Sequence, residues 1–294
     1  MKVLAIGGPS DSGKTTLVER LAGRLSERGP VGTVKHVDCE VDLDAEGTDT
    51  DRHRAAGAAR TYGITDGERI VTGDTLPLEA ALDDLAHTCE YALVEGYRGA
   101  TLPRVVLGAG EKALGSGAKD HRGRVLARAR SADEVSLPEL VDEIEGLSPY
   151  VCPATLESRI RRSFAANGTA SVANEPGALA TLAGRVPRRA GDGGERLVLS
   201  EPDPTTSDVP DSLGVRKLVD DLHARDGVRE LLVGSRAQLV DSEPGAVFVV
   251  ALADDRNAAF RAVEDARERI ESRLALSRAK VTVGDESDGA VPGR

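Results

Sequence analysis

The sequence predicts an α/β fold, a parallel sheet with helices on both faces, followed by a smaller α+β domain. Three observations support this prediction. The chain has 294 residues, which is more than one average domain. Apolar runs and amphipathic stretches alternate over residues 1–148, as expected for parallel strands joined by helices. From about residue 177 strand patterns outnumber helix patterns and the alternation is lost, which is typical of an α+β domain.

The first domain is predicted to begin with a strand that enters a glycine-rich turn and continues into an amphipathic helix. Leu17, Leu21 and Leu25 recur at helical spacing, and Gly29-Pro30 end that helix. The predicted strands are 3–6, 32–37, 70–71, 91–94, 105–107 and 125–129, and the predicted helices are 15–28, 51–59, 78–86 and 137–145. The stretch after residue 108, up to 123, is rich in glycine and polar residues and is predicted to be a surface loop.

Residues 149–174 are predicted to connect the two domains and to contain one helix, at 156–165. The second domain is predicted over 175–283, and we expect the polar tail 284–294 to be disordered. A long helix is predicted at 256–276 from an apolar stripe at helical spacing, formed by Ala259, Val263, Ala266, Ile270 and Leu274. The other predicted elements are strands at 177–186, 197–199, 230–233, 246–252 and 279–283 and a helix at 215–224.

Charge and composition exclude several classes of protein. The formal net charge of −11 argues against nucleic acid or an anionic membrane as the main partner. No segment is long and apolar enough to cross a membrane. Cys39, Cys89 and Cys152 are too far apart in sequence to indicate a disulfide framework or a CxxC metal site. We therefore expect a protein of the cytoplasm.

The turn after the first strand contains the sequence GPSDSGKT, which fits the pattern GxxxxGK[ST] in full. Gly8 and Gly13 let the backbone turn so that its N–H groups face phosphate oxygens. Lys14 reaches the β- and γ-phosphates, and the Thr15 hydroxyl is a ligand for Mg²⁺. The N-terminus of the following helix adds the positive end of its dipole. This pattern between a strand and a helix predicts a P-loop NTPase that binds, and hydrolyses, a nucleoside triphosphate.

A P-loop needs an acidic group near Mg²⁺ and a group that positions water. Glu95 ends an apolar strand, which is the position of a Walker-B-type carboxylate, although a plain surface residue would also fit there. Asp42 lies in an acidic stretch and is a further candidate metal ligand, although a solvated loop accounts for that stretch equally well. Thr48, Asp49 or Thr50 is expected to cap the helix that follows.

The chain contains, in order, three segments that resemble the molybdopterin-guanine dinucleotide biosynthesis protein B family (MobB): GPSDSGKTTL, GTVKHVDCEVDLDAEGTDTDRHRAAGA and YALVEGYRG. The resemblance covers about residues 1–148. It implies a GTP-binding adaptor, a homodimer, that hydrolyses GTP slowly and assists a guanylyltransferase in attaching a nucleotide to molybdopterin. The sequence has no guanine-reading motif of the NKxD type, so the preference for GTP over ATP rests on the resemblance.

The resemblance also implies roles for individual residues. The residues implied for phosphate and Mg²⁺ are Gly8, Ser12, Gly13, Lys14, Thr15 and Thr16. Those implied at switch-like positions are Lys35, His36, Asp42, Asp49, Asp51 and Arg52. Glu95 and Gly96 are implied as the far wall of the site.

The second domain resembles, more faintly, the large subunit of molybdopterin synthase (MoaE), over about residues 172–283. PGALATLAGRV resembles that family's opening strand, and DRNAAFRA resembles its HRxxAFxA segment, with Asp255 in place of histidine. The resemblance implies sulfur transfer to a molybdopterin precursor from a ubiquitin-like sulfur-carrier small subunit. Its implied catalytic cations are Arg256, Arg273 and Lys280. Arg273 stands where the family has a lysine, and arginine binds phosphate without forming covalent intermediates, so a degenerate binding module stays an alternative.

The two resemblances together predict a molybdenum-cofactor biosynthesis protein in which a GTPase adaptor is fused to a synthase-like domain. A small-molecule kinase or a metallochaperone NTPase remains an alternative for the first domain. In a kinase, Arg98, Arg104 and the loop around 108–124 would clamp the phosphates. A pure protein-interaction module remains an alternative for the second domain.

Overall fold

The computed structural model describes residues 1–37, 47–73, 75–108, 123–166, 177–186, 215–236, 239 and 245–284. In chain order, the elements of the first part are β1 (Lys2–Gly7), α1 (Lys14–Ser26), β2 (Val31–Lys35), α2 (Asp49–Ala55), β3 (Arg60–Ile64), β4 (Arg69–Gly73), α3 (Leu78–Leu85), β5 (Tyr91–Glu95), β6 (Arg104–Leu107), β7 (Val125–Ala129) and α4 (Leu137–Glu145). Five of the strands form one all-parallel sheet in the order β2-β5-β1-β6-β7.

Both faces of this sheet are covered by helices, as predicted. Successive side chains of a strand point to opposite faces, so Leu4 and Ile6 of β1 pack on one side and Val3 and Ala5 on the other. The first side is covered by α1 and α4, and the second by α3. The fully buried leucines of the α1 stripe are Leu17, Leu21 and Leu25. The fold class predicted for the first domain is therefore confirmed.

Residues 60–73 differ from the prediction, because the predicted strand 70–71 does not join the parallel sheet. It belongs to β4, which pairs with β3 in a separate two-stranded antiparallel sheet. In the connecting turn the Thr65 N–H donates to the Glu68 carbonyl at 2.8 Å, and the Glu68 N–H donates to Thr65 Oγ1 at 2.9 Å. The dipeptide Asp66-Gly67 between two β-prone stretches is a signal for a hairpin, so β4 pairs locally.

The second part has a three-stranded antiparallel sheet in the order β8-β10-β9. Its elements are α5 (Pro153–Ala166), β8 (Ala178–Val186), α6 (Val215–His223), β9 (Val228–Arg236), β10 (Gly245–Ala253) and α7 (Arg256–Gly284). On β10, Val249 and Ala251 pack against α6 and α7, whereas Phe248 and Val250 pack against α5. The separate, smaller α+β unit is therefore confirmed. The predicted connecting helix is α5, and it covers one face of this sheet.

The strand predicted at 279–283 is wrong, because α7 continues as a helix to Gly284. Val281, Thr282 and Val283 are β-branched, but strand propensity is weak and depends on a neighbouring strand. Extending an existing helix needs no new nucleus, so the segment follows α7. The predicted strand 197–199, tail residues 285–294 and loop residues 109–122 lie outside the described residues. None of the described helices combines the length and apolar character needed to cross a membrane.

Arg236, at the end of β9, joins the two parts of the molecule. It is 7% exposed and forms ion pairs with Glu79 and Asp83 of α3, the second at 2.8 Å. It also donates to the Tyr150 hydroxyl at 2.7 Å. Nearby, the Thr101 N–H donates to the carbonyl of the buried Leu239 at 2.8 Å. The second part is thereby held against the α3 side of the parallel sheet.

Candidate functional site

Two glycines shape the loop between β1 and α1. Gly13 precedes α1 with a φ of +87°, a left-handed conformation that glycine adopts at low cost. A Cβ at Gly13 would lie 3.3 Å from the backbone nitrogen of Ala132. A Cβ at Gly8 would lie 2.7 Å from the carbonyl oxygen of Leu107, at the end of β6. The tight loop therefore requires glycine at both ends of the motif.

The polar side chains of this loop fold back onto its backbone. Ser12 Oγ donates to the Pro9 carbonyl at 2.9 Å, and Lys14 Nζ donates to the same carbonyl at 2.6 Å. The Lys14 ammonium thus lies over the loop that the sequence assigns to phosphate. Thr16 is exposed on the first turn of α1.

Glu95 lies beside the first turn of α1, at the carboxyl end of β5. Its side chain is 11% exposed, and both of its carboxylate oxygens accept from Thr15 Oγ1 at 3.1 Å. Lys35 Nζ lies 3.3 Å from Glu95 Oε1 and 3.5 Å from Thr15 Oγ1. Lys35 ends β2, and the register of β2 against β5 places it directly opposite Glu95. Three residues that are far apart in sequence therefore form one cluster, Thr15, Lys35 and Glu95.

The oxygens of Thr15 and Glu95 fit the coordination of Mg²⁺. Ligands at 2.0–2.1 Å in adjacent octahedral positions lie about 2.9 Å apart, and the observed separation is 3.1 Å. Within the described residues no group of three His, Cys, Asp or Glu side chains could hold a metal alone. Asp42, the other predicted ligand, lies outside the described residues.

The segment after Glu95 forms a wall of the site. Gly96 has a φ of +93°, and a Cβ there would lie 2.9 Å from the Cβ of His36. The His36 and Tyr97 rings pack edge to face with centroids 4.8 Å apart. Arg98 Nη2 donates to the Gly8 carbonyl at 3.4 Å, which connects this wall to the P-loop. Tyr97 was not predicted, since its contact with His36 depends on the neighbouring position of β2 and β5.

Arg104 holds this wall from inside the protein. Its guanidinium is fully buried and donates to the carbonyls of Arg98, at 3.1 Å, of Ala100 and of Leu102, at 3.4 Å. Burial lowers the pKa of this guanidinium from its ordinary value. A guanidinium buried among backbone carbonyls does not act as a phosphate clamp. The kinase alternative therefore loses one of its two candidate arginines.

The charged residues of α2 make local contacts. Thr48 is the N-cap, since its Oγ1 accepts from the Asp51 N–H at 3.3 Å. The Gly47 N–H donates to Asp51 Oδ2 at 2.9 Å, and Arg52 pairs with Asp49 at 3.3 Å. The structure thus brings Thr15, Lys35 and Glu95 to one place, next to the loop on which the Lys14 ammonium lies. The contacts described for Asp49, Asp51 and Arg52 lie within α2 and its cap.

The predicted catalytic cations of the second part all lie on α7. Arg256 starts the helix, with its guanidinium 5.4 Å from the Phe260 ring centroid. Asp255 Oδ1 accepts from the Ala258 N–H at 2.9 Å and caps the helix, a role that accounts for an aspartate at this position. The side chains of Arg273 and Lys280 lie outside the described part of the structure. At about 1.5 Å per residue, Arg256 and Lys280 are separated by roughly 36 Å along a straight helix.

Comparison with known proteins gives matches to both parts. Residues 3–129 match the family model described as Molybdopterin guanine dinucleotide synthesis protein B. The chain is 33% identical over 293 residues to a probable molybdopterin synthase of Haloferax volcanii, covering 97% of this chain and 98% of that protein. It is 31% identical over 160 residues to the molybdopterin-guanine dinucleotide biosynthesis adapter protein of Escherichia coli, covering 51% and 90%. The crystal structure of a MobB protein homolog from Bacillus stearothermophilus aligns with a TM-score of 0.38 and 26% identity, over 49% of this chain and 99% of that one.

Proposed function

We propose a function from the premise that this chain belongs to the family of the Haloferax volcanii probable molybdopterin synthase and carries a MobB domain in its first half. The chain is then a protein of molybdenum cofactor biosynthesis. In the proposal its first domain binds GTP with Mg²⁺ and hydrolyses it slowly, as an adaptor for the formation of molybdopterin guanine dinucleotide. The observation that supports this most directly is the Thr15–Glu95 pair beside the P-loop, with 3.1 Å between their oxygens.

The residues of the site divide the work of binding. The loop N–H groups and Lys14 would hold the β- and γ-phosphates, while Thr15 and Glu95 would hold Mg²⁺. A Mg²⁺ ion held there would supply positive charge that offsets the negative charge developing during phosphoryl transfer. Water attacks the γ-phosphorus and the bond to the β-phosphate oxygen breaks, which yields GDP and phosphate. Turnover is slow unless a partner supplies the group that positions this water.

The test compares Glu95→Gln with Glu90→Gln, a variant at the exposed residue that immediately precedes the same strand. Binding of a fluorescent GTP analogue and release of phosphate are measured with and without Mg²⁺. Glu95→Gln should weaken the Mg²⁺-dependent part of binding by about tenfold or more, because a carboxylate ligand becomes a neutral amide. Glu90→Gln should behave as the wild type. A wild-type protein that binds neither GTP nor ATP would contradict the proposal, and consumption of ATP only with an acceptor would favour the kinase.

For the second domain we propose a role resembling that of the molybdopterin synthase large subunit. The support is the 33% identity to the Haloferax volcanii protein, which extends over 97% of this chain. The proposed partners are a ubiquitin-like sulfur-carrier small subunit and a guanylyltransferase, with molybdopterin or its precursor as the ligand. We further propose a homodimer of the cytoplasm.

Reconstitution tests this role. The formation of molybdopterin from its precursor is measured with a thiocarboxylated small subunit and either the wild type or Lys280→Ala. Lys217→Ala is the control variant, because Lys217 is exposed on α6. Product lost only in Lys280→Ala supports an active synthase. No product from a folded wild type that still binds nucleotide leaves the second domain as a docking module.

A further inference from the structure

Two side chains, those of Thr15 and Lys35, contact the carboxylate of Glu95. Thr15 Oγ1 donates to both carboxylate oxygens at 3.1 Å, and Lys35 Nζ lies 3.3 Å from Oε1. The ammonium also lies 3.5 Å from Thr15 Oγ1. Lys35 therefore contacts the two oxygen atoms that are suited to Mg²⁺.

Two cations cannot occupy this position at once. A Mg²⁺ ion bound to Thr15 and Glu95 would lie about 2.0–2.1 Å from each oxygen. If the Lys35 ammonium stayed within 3.5 Å of the Thr15 and Glu95 oxygens, it would lie close to the Mg²⁺ ion. Two positive charges that lie close together repel each other strongly. Binding of the metal thus requires the Lys35 ammonium to move.

The two partners differ in their freedom to move. The Lys35 side chain is 56% exposed, and the Glu95 side chain is 11% exposed at the end of a buried strand. A lysine is long and flexible, and its ammonium can pivot about a fixed backbone position. Lys35 is thus the mobile partner and Glu95 the fixed one.

We propose that Lys35 is a tethered cation that competes with Mg²⁺ for Glu95 and turns toward the phosphates of the nucleotide once the metal is bound. This inference rests on the proposed nucleotide-binding function. In the absence of metal, Lys35 compensates the charge of Glu95, which would otherwise repel the phosphates. Lys35 is thus a positioning residue that sets how strongly nucleotide binding depends on Mg²⁺.

The experiment uses the full-length chain with Lys35→Met, Lys35→Gln and Lys35→Arg, and Lys217→Met as the matched control. The affinity for a fluorescent GTP analogue is measured in EDTA and during a titration with Mg²⁺. In the two neutral variants the Mg²⁺ concentration at half-saturation should fall about fivefold, and the affinity in EDTA should weaken by a similar factor, the scale of one partly exposed ion pair. Lys35→Arg should stay close to the wild type, as should Lys217→Met.

The outcomes separate this inference from the proposed function. If the wild type binds the analogue and both neutral variants show an unchanged Mg²⁺ midpoint, Lys35 does not compete with the metal, and the inference is overturned while the proposed function stands. If the wild type binds no nucleotide with or without Mg²⁺, the proposed function fails first. Circular dichroism of each variant establishes that the protein is folded.

Discussion

At the scale of single residues, the conformation of Gly13 determines whether the phosphate loop can form. In Gly13→Ala, a side chain would adopt a φ of +87° with its Cβ 3.3 Å from Ala132. The left-handed conformation alone costs an alanine about 1–2 kcal/mol. We therefore expect the free energy of unfolding to fall by at least about 1 kcal/mol, and nucleotide affinity to fall as well.

Gly23 provides the matched control, since it lies in the interior of α1 with no atom within 4 Å of its hypothetical Cβ. Gly23→Ala should raise the free energy of unfolding by about 0.5–1 kcal/mol, because alanine is the better helix former. Urea unfolding of the two variants measures both changes. Effects of the same sign would contradict this account of the loop.

The sequence allowed some residues of the site to be predicted and not others. Lys14 and Thr15 follow from the motif, and Glu95 follows from its position at the end of an apolar strand. The contact of Lys35 with Glu95 requires β2 to lie next to β5, and strand order cannot be read from local patterns. Arg104 could not be assigned to the wall, because its carbonyl partners come from a loop whose path is set by tertiary structure.

At the scale of elements, a tyrosine ties β5 to α4. The Tyr91 hydroxyl donates to Glu145 Oε1 at 2.7 Å. The pKa of Tyr91 is raised to about 12, mainly because the side chain is buried and secondly because of this hydrogen bond. The same bond lowers the pKa of Glu145. An unfolded tyrosine loses its proton near pH 10. The stabilisation by Tyr91 is therefore fully present below about pH 10 and is lost as the pH rises through about 12.

The wild type should lose stability at alkaline pH in part because Tyr91 loses its proton. We expect Tyr91→Phe to remove that contribution. Near neutral pH the variant should be less stable than the wild type by about 1 kcal/mol, the usual contribution of a hydrogen bond. Urea unfolding near pH 7 and near pH 11 gives both values. Tyr62→Phe is the control, because Tyr62 is 55% exposed on the hairpin, and it should keep the wild-type pH dependence. An identical alkaline loss in Tyr91→Phe would contradict the assignment.

The elements of the parallel sheet could be predicted because their apolar residues recur with a clear period and because the residues that end each element are easy to recognise. The β3–β4 hairpin was missed in part because Arg60 to Ile64 has no continuous apolar run. The end of α7 was mispredicted because β-branched residues say little without a partner strand. Periodicity thus gives the type of most elements, and long-range packing decides the remaining ones.

At the scale of the whole molecule, Arg236 couples the two parts. Arg236→Gln would leave Glu79 and Asp83 without their guanidinium partner, while their side chains are 27% and 37% exposed. We expect the free energy of unfolding to fall by about 2 kcal/mol, less than for a fully buried ion pair.

Arg229→Gln is the control for charge removal. Arg229 pairs with Asp254 at 2.5 Å, and both side chains are more than 40% exposed. Loss of this pair should change the free energy of unfolding by less than about 1 kcal/mol. Thermal and urea unfolding of the full-length variants measure both effects. Equal losses in the two variants would mean that Arg236 does not join the two parts.

The central position of β1 has a consequence for synthesis on the ribosome. β1 lies between β5 and β6, and the Tyr150 N–H donates to the Met1 carbonyl at 2.7 Å. β1 therefore leaves the exit tunnel before both of its neighbours in the sheet, which are translated much later. At about 5–20 residues per second, the interval from β1 to β5 is roughly 4–17 s. During that time the nascent chain exposes an apolar strand that its native partners cannot yet cover, which makes it a target for ribosome-associated chaperones.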